Sequence, residues 1–118
     1  MKLSRHFNRK EFACKCSCGF DTVDIETLEL LESLRQYFNR PVFINSACRC
    51  PCHNRNVGGA EKSQHVRGRA ADIEVADIQP GVVYSYLSAT YPKKFGFGLY
   101  DNFVHIDTRS NGPARWKG

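Results

Sequence analysis

No run of apolar side chains in the 118 residues reaches the length of a bilayer span, so no membrane partner is expected. The opening Met1-Lys2-Leu3-Ser4-Arg5-His6-Phe7 turns polar at once and has neither the apolar stretch nor the small-residue cleavage site of a secretory leader. Synthesis in a cytosol is therefore expected, with release or carriage taking the protein to any external site of action. Internal repeats, low-complexity tracts and blocks of like charge are also missing. Lys and Arg outnumber Asp and Glu by 17 to 12, a net +5, but the excess is spread thinly, with mild concentration at Arg67, Arg69, Arg109, Arg115 and Lys117. Such a balance favours encounter with polyanions, and a solvated basic surface accounts for it equally well. Without the interleaved aromatic and basic residues of a single-strand-binding module, no nucleic-acid partner is expected.

What remains is globular in composition, with 42% hydrophobic and 25% charged residues. The length suits one compact domain spanning 1–118, expected as a monomer, with 110–118 as a loose tail unless Trp116 docks. Cysteine is plentiful. Six residues fall into two tight groups, Cys14-Lys15-Cys16-Ser17-Cys18 and Cys48-Arg49-Cys50-Pro51-Cys52. The spacing does not match the usual C-x2-C knuckle, and it leaves a second, structural metal, disulfides and free thiols all open. In each case the groups pin the N-terminal segment to the loop after Ile44, and His53 stands close enough in sequence to join them.

Ser4 is placed to cap a short first helix through Glu11. Asp24 then opens the clearest helix, where Ile25, Leu28, Leu31, Leu34 and Phe38 recur at three- and four-residue spacing up to Asn39-Arg40 and Pro41. Residues 41–45 read as a strand. From Ser46 to Gln64 the chain reads as a long loop, because Pro51, Asn54, Asn56 and Gly58-Gly59 deny a long regular element. Residues 71–75 alternate, with Ile73 and Val75 on one face and Asp72 and Glu74 on the other. Pro80 starts a helix that Tyr91-Pro92 closes. Residues 94–100 lead toward a final strand at 103–107, and Gly96 and Gly98 mark a bulge or a close backbone approach. The order predicts an α+β fold with a small, mainly antiparallel sheet and two or three packing helices.

Chemistry gathers at three residues. His65 precedes Asp72 by seven positions, and His105 projects from the last strand on the same side as Phe103 and Asp107. Two imidazoles and a carboxylate form a zinc ligand set with one coordination position open, the pattern of a hydrolytic rather than a structural site. Each alone has an ordinary reading: a surface or capping histidine, a turn acid, an exposed pair of Asp107 with Arg109 or Arg67. Asp107 is the first candidate for general base, Asp101 its rival and Glu74 a third. Arg49 is placed to hold a substrate carboxylate or a developing oxyanion through its planar fork.

The pattern S-x-H-x-x-G-x-A-x-D at Ser63, His65, Gly68, Ala70 and Asp72, followed by Phe103-Val104-His105-Ile106-Asp107, resembles the M15 peptidases. That group includes D-Ala-D-Ala carboxypeptidases and dipeptidases, phage L-alanyl-D-glutamate endolysins and the related hedgehog zinc fold. The small cysteine-containing subgroup is similar at Phe12-Ala13-Cys14, at Ser46-Ala47-Cys48-Arg49-Cys50-Pro51 and at residues 54–59, so the likeness runs from about Phe7 to Arg109. It implies a hedgehog/D-Ala-D-Ala peptidase-like fold and a zinc peptidase cleaving an amide bond in peptidoglycan stem peptides, of carboxypeptidase or endolysin type. His65, Asp72 and His105 match the metal ligands, and Arg49 and Ser63 the substrate-binding positions. Several members place an acidic residue three positions before the last ligand histidine or a histidine two before it, where this chain has Asn102 and Phe103. The base therefore does not carry over, and Asp107 and Asp101 stay in competition. A phage or prophage lysis or virion module is the expected setting. The alternatives are a non-catalytic, zinc-stabilised module that binds wall peptides or a partner, and a structural component of a phage particle.

Overall fold

In the computed structural model, which describes residues 2–60 and 63–118, the Asp24 carboxylate accepts the Glu26 amide and starts helix α1, Ile25–Phe38. Asn39, left-handed at φ 53°, ends it before Pro41. The buried face is turned slightly from the expected stripe. Thr27, Leu30, Leu31 and Leu34 are buried, whereas Ile25, in the first turn, is 68% exposed. Each fully buried leucine contributes roughly 1.5–3 kcal/mol relative to an exposed one.

Strand β1, Val42–Ser46, follows, then α2, Pro51–Asn56; a short 3-10 turn, Gln64–Arg67, leads into β2, Ala70–Val75. Helix α3, Pro80–Thr90, precedes β3, Gly96–Leu99, β4, Val104–Asp107, and β5, Ala114–Lys117. The sheet order is β1-β2-β4-β3-β5, antiparallel throughout except for the β3–β5 pair. This is an α+β fold with three helices. Ala71, Ile73, Val75, Val104 and Ile106 face the same core as Leu31, Leu34, Val83 and Leu87, so α1 and α3 cover one face of the sheet and leave the other to polar side chains.

Three expectations need correction. The first short helix is a 3-10 turn, Arg9–Phe12, and its cap is Asn8: Asn8 takes the Lys10 amide while Glu11 returns a bond to the Asn8 amide. Ser4 instead donates to Glu32 on α1. The long loop contains a helix, α2, because Pro51 sits at its permissive first position and the Cys50 sulfur accepts the His53 amide as a cap. Residues 114–117 are not a loose tail. They pair with β3, where Gly98 opposes Trp116, and the Trp116 indole donates to the Tyr100 hydroxyl at 2.9 Å.

Candidate metal centre

Register sets the first half of the site: Asp72 on β2 lies directly opposite His105 on β4, so both side chains leave the sheet on the face away from the helices. The third group comes from the 3-10 turn before β2. Ser63 caps that turn by accepting the His65 amide, and Gly68 closes it. His65 is 2% exposed and Asp72 8%. One donor atom from each of His65, Asp72 and His105 lies within 4.8 Å of the other two.

The tautomers follow from the partners. His65 Nδ1 meets the carbonyl oxygen of Ala47 at 2.7 Å. A carbonyl only accepts, so Nδ1 carries the proton and Nε2 keeps a lone pair. His105 Nε2 is 2.8 Å from Asp107 Oδ2. Asp107 is fully buried and held as a carboxylate by Arg109, whose Nε and Nη2 donate to its two oxygens at 2.8 and 2.7 Å. His105 therefore donates from Nε2 and turns the Nδ1 lone pair toward Asp72.

His65 Nε2 and His105 Nδ1 stand 3.2 and 2.9 Å from the same oxygen, Asp72 Oδ1. Three acceptors this close are reconciled by cations, either protons on the imidazoles or a metal among them. A tetrahedral zinc with donors at about 2.0–2.1 Å spaces them roughly 3.3 Å apart, so the set fits such an ion. Without a metal the first alternative applies. With a proton on each imidazole, burial pushes the Asp72 carboxyl up, but hydrogen bonds from His105 and His65 outweigh it and hold the group well below the usual carboxylate range. Asp107 behaves likewise, with burial overcome by Arg109 and then His105. Burial lowers His105, and Asp107 and Asp72 more than restore it, for a net upward shift.

The other expected residues divide. Arg49 reaches the site: Nη2 donates to Asp72 Oδ2 at 3.3 Å, and the guanidinium is held by the Ser46 hydroxyl and the Asn54 side chain. Ser63 lines the same cleft. Asp107 lies behind His105, with both oxygens engaged. Asp101 is exposed in the turn between β3 and β4 and does not line the cleft, and Glu74 is exposed and bonded to Asn45.

Several contributors escape sequence reasoning. Arg109 forms a half-buried pair with the buried Asp107 where an exposed one was the ordinary reading. Gly96, paired with Asp107, leaves the space its carboxylate and Arg109 occupy; a Cβ there would fall 2.6 Å from Oδ2. The ring of Trp116, the chain's single tryptophan, lies 5.2 Å from that of His105 and 5.3 Å from the Arg109 guanidinium. Its rarity was the available signal. Asn54, buried, links Arg49 to the Ala60 carbonyl. The cleft measures about 890 Å³. Among its described lining residues Asp72 is the only carboxylate, set against Arg49, Arg67, Arg69 and Arg109.

A profile of the family described as Peptidase M15 matches residues 5–107. A protein of Haemophilus influenzae described as "Probable peptidoglycan L,D-endopeptidase MepK" is 41% identical over 64 residues, 52% of this chain and 32% of that protein. The similarity thus spans about a third of the relative's length.

Proposed function

The chain belongs to the M15 peptidases, and on that premise we propose that it hydrolyses an amide bond in peptidoglycan stem peptides with zinc held by His65, Asp72 and His105. The observation that supports the metal most directly is the meeting of two imidazole nitrogens and a carboxylate oxygen at one point of an open cleft. A zinc ion there would supply Lewis acidity, polarising the scissile carbonyl and providing a nucleophile at neutral pH.

The protein's own groups do the rest. The Ala47 carbonyl and the Asp107 carboxylate engage the far ring nitrogens of His65 and His105, which aims the other nitrogen of each ring at Asp72. Asp107 is engaged by Arg109 and His105, so we give it the role of positioning His105 rather than of general base. Arg49, braced by Ser46, Asn54 and Asp72, presents its remaining donors to a substrate carboxylate or carbonyl oxygen. The other cleft arginines make the surroundings attractive to the acidic groups of stem peptides. Phe103, Tyr100 and Trp116 form an apolar wall, with Tyr100 and Phe103 stacked at 4.5 Å.

The name of the Haemophilus influenzae relative supports an endopeptidase over a carboxypeptidase. One observation favours a second reading, a zinc-held module that binds wall peptides without cutting them: Asp72 is the only carboxylate among the described cleft-lining residues. The two separate on purified peptidoglycan. Hydrolysis releases new amino groups, stops on chelation, and changes muropeptide masses in a way that identifies the bond; binding with unchanged masses would sink the peptidase reading.

A further inference from the structure

Four thiols outside the cleft come together where nothing in the proposed reaction requires them. The Cys14 and Cys16 sulfurs are 3.4 Å apart, as are those of Cys16 and Cys50, and the sulfurs of Cys14, Cys16, Cys18 and Cys50 all lie within 4.8 Å of one another. The chain bends to make this cluster. Ser17 takes a positive φ of 64° and Gly19 one of 92°, reversing the backbone between the cysteines, and the Cys14 amide bonds the Phe20 carbonyl to close the turn. A non-glycine residue in that region costs about 1 kcal/mol or more and persists only where its surroundings demand it.

Hydrophobic burial does not supply the demand, since Cys16 and Cys18 are exposed. Backbone amides do point at the sulfurs: Cys50 N–H at Cys14 Sγ and His53 N–H at Cys50 Sγ, each at 3.4 Å. Amides directed at sulfur stabilise negative charge there. A disulfide needs about 2.05 Å between sulfurs, whereas four sulfurs at about 2.3 Å from a tetrahedral zinc lie roughly 3.8 Å from one another. The observed spacing sits near the second figure. The other two cysteines stand apart: Cys48 is buried and donates to the Thr22 carbonyl, and Cys52 is exposed beyond the cluster.

We propose that Cys14, Cys16, Cys18 and Cys50 bind a second metal ion, a zinc closed by four thiolates, which ties the turn after Phe12 to the start of α2. Loading exchanges four thiol protons for the ion with no change of oxidation state. A site filled by four protein ligands has no vacancy for substrate, so its role is structural. Arg49 stands between Cys48 and Cys50, and the clamp on Cys50 therefore holds the backbone from which Arg49 reaches Asp72.

The test uses the full chain, produced with zinc and purified under reductant, with metal content and cobalt spectra as readouts. The wild type is expected to hold one ion for each of its two donor sets. Cys16→Ser combined with Cys18→Ser, both at exposed positions, should halve the zinc content, while Cys52→Ser should leave it unchanged. Cobalt in place of zinc gives thiolate-to-metal charge-transfer absorption only at a sulfur site. That absorption should persist in His65→Ala combined with His105→Ala and vanish in the paired cysteine variant, so failure here is distinct from failure of the peptidase reading. Wild-type protein without the charge-transfer band overturns the proposal whether or not the variants fold. So do cluster cysteines found oxidised in pairs without zinc uptake, or iron in place of zinc.

Discussion

Each proposed ligand is oriented by a neighbour of a different kind: a backbone carbonyl behind His65, a buried carboxylate behind His105, a guanidinium beside Asp72. The Asp107 arrangement predicts a particular mutant. Asp107→Asn keeps the volume but deprives His105 and Arg109 of a negative partner, and zinc affinity should fall about 10- to 100-fold, as is typical for a group that holds a ligand. Retained zinc with lost turnover, measured by metal content alongside peptidoglycan hydrolysis, would restore Asp107 to the base role. Asp101→Asn, outside the cleft, should leave the hydrolytic rate near wild type. The faces of β2 and β4 on which Asp72 and His105 stand were legible from strand alternation, whereas the pairing that sets them opposite each other and the turn that brings in His65 are tertiary. The position of Asp107 was not legible. Alternation puts it on the correct side of β4, but only the pairing with β3 and the space over Gly96 determine that Arg109 covers it.

Among the elements, α1, β2 and α3 were readable from periodicity and caps, because their signals lie within the segment that folds. Helix α2 and strand β5 were not. Pro51 reads as a breaker until its first-turn position is known, and β5 exists through its parallel partner β3 rather than through its own sequence. That dependence is testable with Gly98→Ala, where a Cβ would fall 2.5 Å from Trp116 Cε2. The ring must move, and the expected result is a shift in the emission of the single tryptophan, faster amide exchange across 114–117, and a stability loss of about 0.5–3 kcal/mol. An unchanged emission spectrum would mean that β5 does not rest on β3 as described. The N-terminal segment has its own tether, since Glu32 on α1 takes hydrogen bonds from the Ser4 hydroxyl and the His6 amide, with His6 Nδ1 2.6 Å away. Burial pushes Glu32 up, but Ser4 and then His6 outweigh it and leave the group below its ordinary value. A depressed carboxylate stabilises the fold fully above its unfolded pKa and loses that contribution as pH falls through the folded one. The stability gap between wild type and Glu32→Gln in urea should therefore be constant near neutrality and close in acid; a gap that widens in acid contradicts the tether.

For the molecule as a whole, the proposed ion would link binding to folding. Zinc at about 100-fold its Kd for the His65 set would stabilise the folded chain by about 2.7 kcal/mol, and chelation should then lower Tm by roughly 2–8 °C for each kcal/mol lost. A Tm indifferent to chelator would argue against resident metal. No described helix is long and apolar enough to cross a bilayer, and the face of the sheet opposite the helices is free to carry the cleft. The strand order has one more result. Asp72 and His105 sit on β2 and β4, each flanked by strands on both sides, while β1 and β5 form the rims. Pairing on both sides holds the backbone spacing of those two residues, whereas Trp116, on a rim strand, packs against the His105 ring and the Arg109 guanidinium. Backbone spacing at the proposed metal site is thereby anchored in the sheet interior, while the ring that walls it is open to change from the edge.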